Sequence, residues 1–127
     1  MKLINTFATE LPWACEPVVP QPLHAPRLLH LNRALLGELG LGEVSEAEWL
    51  ACCGLGQPLP GMQPVAQVYA GHQFGGYSPR LGDGRALLLG EQLAPDGQRW
   101  DLHLKGAGKT PFSRFGDGRA VLRSSIR

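Results

Sequence analysis

The fold is decided by residues 82–120, which read GDGRALLLGEQLAPDGQRWDLHLKGAGKTPFSRFGDGRA. The pentapeptide Gly-Asp-Gly-Arg-Ala occurs twice in this stretch, at 82–86 and at 116–120, on either side of the Lys- and Gly-containing segment 104–110. Glycine allows the backbone to turn tightly or to approach a ligand, and Arg and Lys side chains bind phosphate. The repeat predicts a site for a phosphorylated ligand, with a nucleotide favoured. The alternative is that each Asp-Gly pair is only a hairpin turn.

The segments around the first copy have the pattern of β-strands. Residues 77–81 and 85–93 flank Gly82-Asp83-Gly84, so we predict a hairpin there, and Pro95-Asp96-Gly97 is a second turn signal. Residues 99–105 alternate apolar and polar side chains, which is typical of a half-buried strand. The sequence therefore predicts three antiparallel strands.

The segment after these strands is predicted to be a long glycine-containing loop, 106–118, followed by a helix that opens at 119–127. Leu122 and Ile126 lie one helical turn apart in that last segment. No stop signal follows the pattern, so we expect the chain to be the front part of a longer protein, with an incomplete fold.

The N-terminal half divides into an arm and helices. Up to about residue 25 the chain is rich in Pro, which disfavours helix, and we expect an extended arm. Leu spacing predicts a helix over 26–39, and a Ser45–Glu48 capping box predicts a second one that ends before Gly54.

Two divisions of the chain follow from this pattern. Residues 1–63 form the predicted arm and helical segment, and residues 64–127 form the predicted nucleotide-binding segment. Residues 65–74 remain ambiguous, since Val65, Val68 and Tyr69 also fit one face of a helix.

Composition narrows the function classes. The chain has 127 residues, enough for one domain, and 43% of them are hydrophobic, as in globular proteins. The net charge of +1 argues against a protein that binds nucleic acid through bulk charge. Residues 99–127 nevertheless carry 7 basic and 2 acidic side chains, against 5 basic and 9 acidic in residues 1–98. Positive charge is concentrated where the glycines are, as expected for an anion site.

Cysteine usage and hydropathy exclude other classes. Cys15, Cys52 and Cys53 have no spacing typical of a disulfide framework, and no CxxC pair supports a zinc site. We therefore predict no zinc site within this chain. No stretch approaches membrane-spanning length and no signal peptide is visible, so we expect a cytoplasmic protein with no membrane partner.

Two nucleotide-binding architectures can be weighed against the residues. The segment 106–110 ends like a P-loop, but the first glycine of that motif would fall at His103, and Pro111 stands where its helix should begin. A glycine loop between two strands followed by Lys105 at a strand end is instead the order found in a protein-kinase N-lobe. The alternative for Lys105 is a lysine that only protects a sheet edge.

Three stretches carry a family resemblance. They are YAGHQFGG at 69–76, LGDGR at 81–85 and DLHLKGAGKTPFSRFGDGRAVLRSSIR at 101–127. These stretches resemble the N-terminal signature of the SelO (selenoprotein O) family, and the similarity runs from about Phe7 to Arg127. The resemblance implies a kinase-like protein adenylyltransferase that transfers AMP from ATP to Ser, Thr or Tyr hydroxyls of proteins, with ATP bound in an orientation flipped relative to ordinary kinases.

The resemblance also implies site residues. It places ATP contacts at the following positions: Gly82, Gly84, Arg85, Lys105, Asp117 and Gly118. It implies that the catalytic residues and the Mg²⁺ ligands lie beyond Arg127, so that this chain alone holds no catalytic residue and is inactive. Two alternatives remain, a non-catalytic nucleotide-binding scaffold and a P-loop NTPase.

Overall fold

The structure is a computed structural model that describes residues 2–121. Within these residues it contains seven strands, three α-helices and one 3₁₀ turn, the last at Pro12–Ala14. The strands are β1 (Leu3–Ile4), β2 (Cys15–Pro17), β3 (Val65–Gln67), β4 (Gly71–Gln73), β5 (Gly76–Ser78), β6 (Ala86–Leu93) and β7 (Arg99–Lys105). The helices are α1 (Thr6–Glu10), α2 (Arg33–Glu38) and α3 (Glu46–Leu55).

Strand β6 is the centre of the main sheet. Strand β7 pairs antiparallel along one edge of β6, after the turn predicted at 95–97. On the other edge β1 pairs with Glu91 and Gln92, β3 pairs at Leu88, and β2 adds outside β3. The predicted α+β class with antiparallel strands is confirmed. Strands from both sides of the predicted boundary at residues 63 and 64 join this one sheet.

The core lies on both faces of β6. Leu87 and Leu89 belong to one buried cluster with Trp49 and Cys52 of α3, whereas Leu88, on the opposite face, packs in a second cluster with Cys15 and Val65. Burial of both faces removes apolar surface from water and fixes the register of β6. The ends of β6 and β7 are thereby held in place, and one of these ends adjoins the first Gly-Asp-Gly copy.

The N-terminal arm is more regular than predicted. It contains the extended strands β1 and β2, which join the sheet, but the predicted extended arm is interrupted by α1 and by the 3₁₀ turn. Prolines at positions 12 and 17 sit at a 3₁₀ turn and at a strand end, where a missing N–H is tolerated.

One predicted helix is shorter in the structure and the other is slightly longer. Helix α2 covers only Arg33–Glu38 because the Asn32 side chain accepts a hydrogen bond from Leu35 N and caps the helix there. The capping box at Ser45 is confirmed, but α3 continues through Gly54 to Leu55. The left-handed Gly56, with φ +68°, ends it.

The predicted hairpin around residues 82–84 is wrong. The hairpin lies earlier, between β4 and β5, where Phe74 and Gly75 have φ of +53° and +77°. Positive φ at both central residues is what a type I′ two-residue hairpin turn requires. The helical interpretation of 65–74 is wrong as well, because those residues supply β3 and β4.

The helix predicted from residue 119 does not begin there. Arg119 forms an isolated antiparallel bridge with Ala107, and the chain is irregular to Val121. The rest of that predicted helix, 122–127, lies outside the described residues. None of the helices within residues 2–121 has the length and apolar character that crossing a membrane requires.

Candidate functional site

The two Gly-Asp-Gly-Arg copies meet at one open cleft of about 560 Å³. Its walls are the segment that leads into β6 and the loop that follows β7. The lining residues are Tyr69, Gln73, Leu81, Gly82, Gly84, Arg85, Phe112, Ser113, Arg114, Phe115, Gly116, Asp117, Gly118, Arg119 and Val121.

Five of the six residues predicted to contact a nucleotide line this cleft: Gly82, Gly84, Arg85, Asp117 and Gly118. Lys105 does not. It lines a second pocket of about 400 Å³, beside Cys53, and Arg119 borders both pockets. Lys105 is nevertheless next to the first copy, because it pairs with Ala86 and the following amide, Gly106 N, donates to Arg85 O at 2.6 Å.

The aspartate of the first copy is a structural residue. Asp83 is buried, with 7% of its surface exposed, and its carboxylate accepts hydrogen bonds from Gln67 N and from the Tyr69 hydroxyl, both at 3.0 Å. Its own N–H donates to Gln67 O at 2.9 Å. Burial together with the hydrogen bond to Asp83 raises the pKa of Tyr69, so the hydroxyl stays a neutral donor. Asp83 thus fastens the glycine loop to the end of β3.

Two hydroxyls join the first copy to the loop after β7. The hydroxyl of Thr110 donates to Asp83 O, and the hydroxyl of Ser113 donates to Gly84 O. The Ser113 hydroxyl also accepts from Thr110 N at 2.9 Å, which closes a turn at residues 110–113. The ring of Phe112 lies against Gly82, where φ is +69°. The two walls of the cleft are therefore one connected structure.

The second copy is fixed by other contacts, to Gly108 and to residues 21 and 22. Gly108 N donates to Gly118 O at 3.2 Å, and these backbones lie so close that an added Cβ at Gly118 would overlap Gly108. The exposed Asp117 accepts a hydrogen bond from Arg119 N at 2.9 Å. The Arg119 guanidinium donates to Gln21 O and Pro22 O at 2.9 and 3.0 Å.

The cleft has an excess of positive charge. Arg85, Arg114 and Arg119 line it, and Asp117 is the one carboxylate among its described lining residues. Arg85 and Arg114 are exposed, and neither side chain has a hydrogen bond or ion pair within residues 2–121. Guanidinium groups without a protein partner are available to an anionic ligand.

Sequence reasoning did not assign Arg114 and Phe115 to the site. Both line the cleft, and Phe115 is fully exposed. The excess of basic residues after position 99 included Arg114 and was the signal that could have found it. No comparable signal existed for Phe115, because an apolar residue in a loop is ordinarily interpreted as a packing residue.

The described residues offer little to a metal ion. No group of three or more His, Cys, Asp or Glu side chains within residues 2–121 is arranged to hold one. A single carboxylate with three arginines suits the phosphates of a nucleotide better than a divalent cation.

Comparison with known proteins identifies the family of this chain. Residues 5–127 match the family described as protein adenylyltransferase SelO. Proteins named protein nucleotidyltransferase YdiU from Aeromonas hydrophila and Myxococcus xanthus are 93% and 54% identical to the chain, over 127 and 129 residues, and each alignment covers 100% of it. The chain spans only 27% and 26% of the length of these two relatives. Because the family match covers nearly every residue, this protein belongs to the SelO family.

Proposed function

We propose that this chain is the nucleotide-binding N-terminal part of a protein adenylyltransferase with a kinase-like N-lobe. The full-length enzyme transfers AMP from ATP to Ser, Thr or Tyr hydroxyls of other proteins in the cytoplasm. The observation that carries the proposal is the convergence of both Gly-Asp-Gly-Arg copies on one cationic cleft. Membership of the SelO family and the relatives' name, protein nucleotidyltransferase, support it.

Each proposed contact has a structural basis. Arg85 lies at the cleft with no side-chain partner within residues 2–121, so it can bind the ATP phosphates. Gly82 and Gly84 line the cleft beside Arg85, and the Asp117-Gly118 turn lines its other wall. We assign Lys105 to the phosphates as well, from its place at the strand end beside Arg85.

Mg²⁺, when bound, would neutralise the phosphate charge during transfer. The residues of this chain bind and orient the nucleotide, and we propose that the metal ligands and the catalytic carboxylates come from beyond Arg127. The chain alone should then bind no metal tightly and should not catalyse.

Labelled ATP tests this directly. In the presence of Mg²⁺ a full-length protein that begins with this chain should incorporate AMP into protein, whereas the 127-residue chain should incorporate none. Robust self-labelling or substrate labelling by the isolated chain would show that the catalytic groups are within it. The matched control is full-length protein given ATP without Mg²⁺.

A nucleotide-binding scaffold without catalysis is the alternative from another class. It uses the same cleft and predicts that full-length protein binds ATP but never transfers AMP. The P-loop alternative requires a helix directly after the lysine. Residues 110–113 form a turn instead, and the following described residues, to Val121, are not helical.

A further inference from the structure

The loop that follows β7 is tied to a segment nearly a hundred residues earlier in the chain. We define the strap as residues Pro20–Leu23. Gln21 N donates to Ala107 O at 2.8 Å, and Leu23 N donates to Gly54 O at 2.8 Å. The strap is thereby fixed between the loop and the end of helix α3.

Arg119 provides the strongest part of this connection. Its two terminal nitrogens donate to consecutive carbonyls of the strap, Gln21 O at 2.9 Å and Pro22 O at 3.0 Å. The planar guanidinium fork can make both bonds at once, which a lysine ammonium on a flexible stem does less well. The guanidinium is therefore directed at the strap, although Arg119 also borders the cleft.

Close packing supports the same conclusion. An added Cβ at Gly108 would overlap the Gln21 side chain, and Lys109 N lies 3.4 Å from Gln21 Oε1. The loop backbone thus follows the surface of the strap, so moving one moves the other.

The hydrogen bonds between Arg119 and the strap lie next to the residues that would contact the ligand. Asp117 and Gly118 come directly before Arg119, and both line the cleft. At its other side the same loop holds the first copy through Thr110 and Ser113. Fixing Arg119 therefore fixes the separation of the two cleft walls.

We infer that Arg119 is a positioning residue, which sets the shape of the nucleotide cleft by binding the strap rather than by binding the phosphates. This inference rests on the proposed nucleotide-binding function. It assigns the strap a role in nucleotide affinity although no strap residue lines the cleft.

Two substitutions at one position separate the roles. In full-length protein, Arg119→Ala removes charge and fork, whereas Arg119→Lys keeps the charge and loses the fork. Both should weaken binding of ATP with Mg²⁺ about three- to tenfold, as expected when a pair of hydrogen bonds is lost. Arg27→Ala is the control, because Arg27 is exposed and its side chain has no hydrogen bond or ion pair within residues 2–121.

Amide hydrogen exchange supplies a readout that does not depend on nucleotide. Both Arg119 variants should exchange amides of residues 106–118 about tenfold faster, while amides of β6 and β7 stay slow and report an intact fold. Wild-type affinity together with slow exchange in Arg119→Lys would overturn the inference, because charge alone would suffice. Unchanged exchange in Arg119→Ala would overturn it too. If wild-type protein binds no ATP, the proposed function and the role in nucleotide affinity both fail, and the exchange result still decides whether Arg119 positions the loop.

Discussion

The two Gly-Asp-Gly-Arg-Ala copies have one sequence and two different structural uses. In the copy at 82–86 the aspartate is buried and holds β3, while the arginine has no side-chain partner within residues 2–121. In the copy at 116–120 the aspartate is exposed and accepts a hydrogen bond from the neighbouring Arg119 amide, while the arginine is bound to the strap. The arginine of the first copy is therefore available to a ligand, whereas the arginine of the second copy is already bonded to the strap.

The glycines differ in the same way. In the first copy the leading glycine, Gly82, has φ +69° and lies against the Phe112 ring. In the second copy the trailing glycine, Gly118, has φ +73° and lies against Gly108. A shared motif therefore does not imply shared constraints, because the tertiary surroundings decide which atoms are crowded and which are free.

Alanine substitution of these glycines should show the largest effect. Gly82→Ala and Gly118→Ala should each destabilise the protein by roughly 2–5 kcal/mol, since a Cβ meets both a left-handed backbone and neighbouring atoms. Gly116→Ala is the matched control, because its nearest new contact is 3.9 Å away. Chemical denaturation measures the free energies of unfolding, and equal costs at 82 and 116 would contradict the difference between the copies.

Lys105→Ala should remove most AMP transfer by full-length protein. Losing a phosphate-neutralising charge costs about 3 kcal/mol of transition-state stabilisation, or about a hundredfold in rate. Unfolding should be unchanged, because Lys105 is exposed and its side chain has no hydrogen bond or ion pair within residues 2–121.

Lys109→Ala is the control for Lys105, since it removes another exposed ammonium from the loop between the copies. Near wild-type transfer in Lys105→Ala would mean that the residue only protects a strand end. That result would also mean that the phosphates are bound only by residues that line the cleft, which Lys105 does not.

Replacing the two aspartates should lower the free energy of unfolding of the protein by different amounts. Asp83→Ala leaves Gln67 N and the Tyr69 hydroxyl without their acceptor, at a cost of about 1–3 kcal/mol. Asp117→Ala removes one exposed hydrogen bond and should cost at most about 1 kcal/mol. Asp96, which accepts from Gln98 N at 2.9 Å in another exposed turn, is a control for Asp117. Thermal unfolding compares the alanine variants at positions 83, 96 and 117. An equal cost at Asp117 and Asp83 would refute the conclusion that only the first aspartate has a structural role.

The smallest expected difference between the two copies concerns their arginines, and it is a difference in how much ATP affinity is lost when each is replaced by alanine. Arg85→Ala should weaken ATP binding by full-length protein by roughly 2 kcal/mol, about 30-fold, because a charged phosphate contact is lost. Arg119→Ala should weaken it less, through loop position alone. Calorimetric titration decides the order, and an equal or larger loss at Arg119 would mean that the second copy carries the phosphate contact.

Local sequence signals determined a large part of the fold. The alternation in 99–105, the turn at 95–97 and the capping box at Ser45 all formed as predicted. These features depend on residues that are neighbours in the chain. The helix predicted over 26–39 is shorter in the structure, because Leu spacing indicates an apolar face but not where a helix begins. The Asn32 cap starts the helix at Arg33, and it covers only Arg33–Glu38.

The sequence by itself also determined that Gly82, Gly84, Arg85, Asp117 and Gly118 belong together, since the repeat and the family resemblance both single them out and one cleft collects them. Only the tertiary structure decided how each copy is used. Asp83 is buried because β3 passes beside it, and Arg119 is bound because the strap crosses the loop after β7. These contacts join residues 16 and 98 positions apart in the chain, and no local pattern encodes which carbonyl or amide a side chain will meet at such distances.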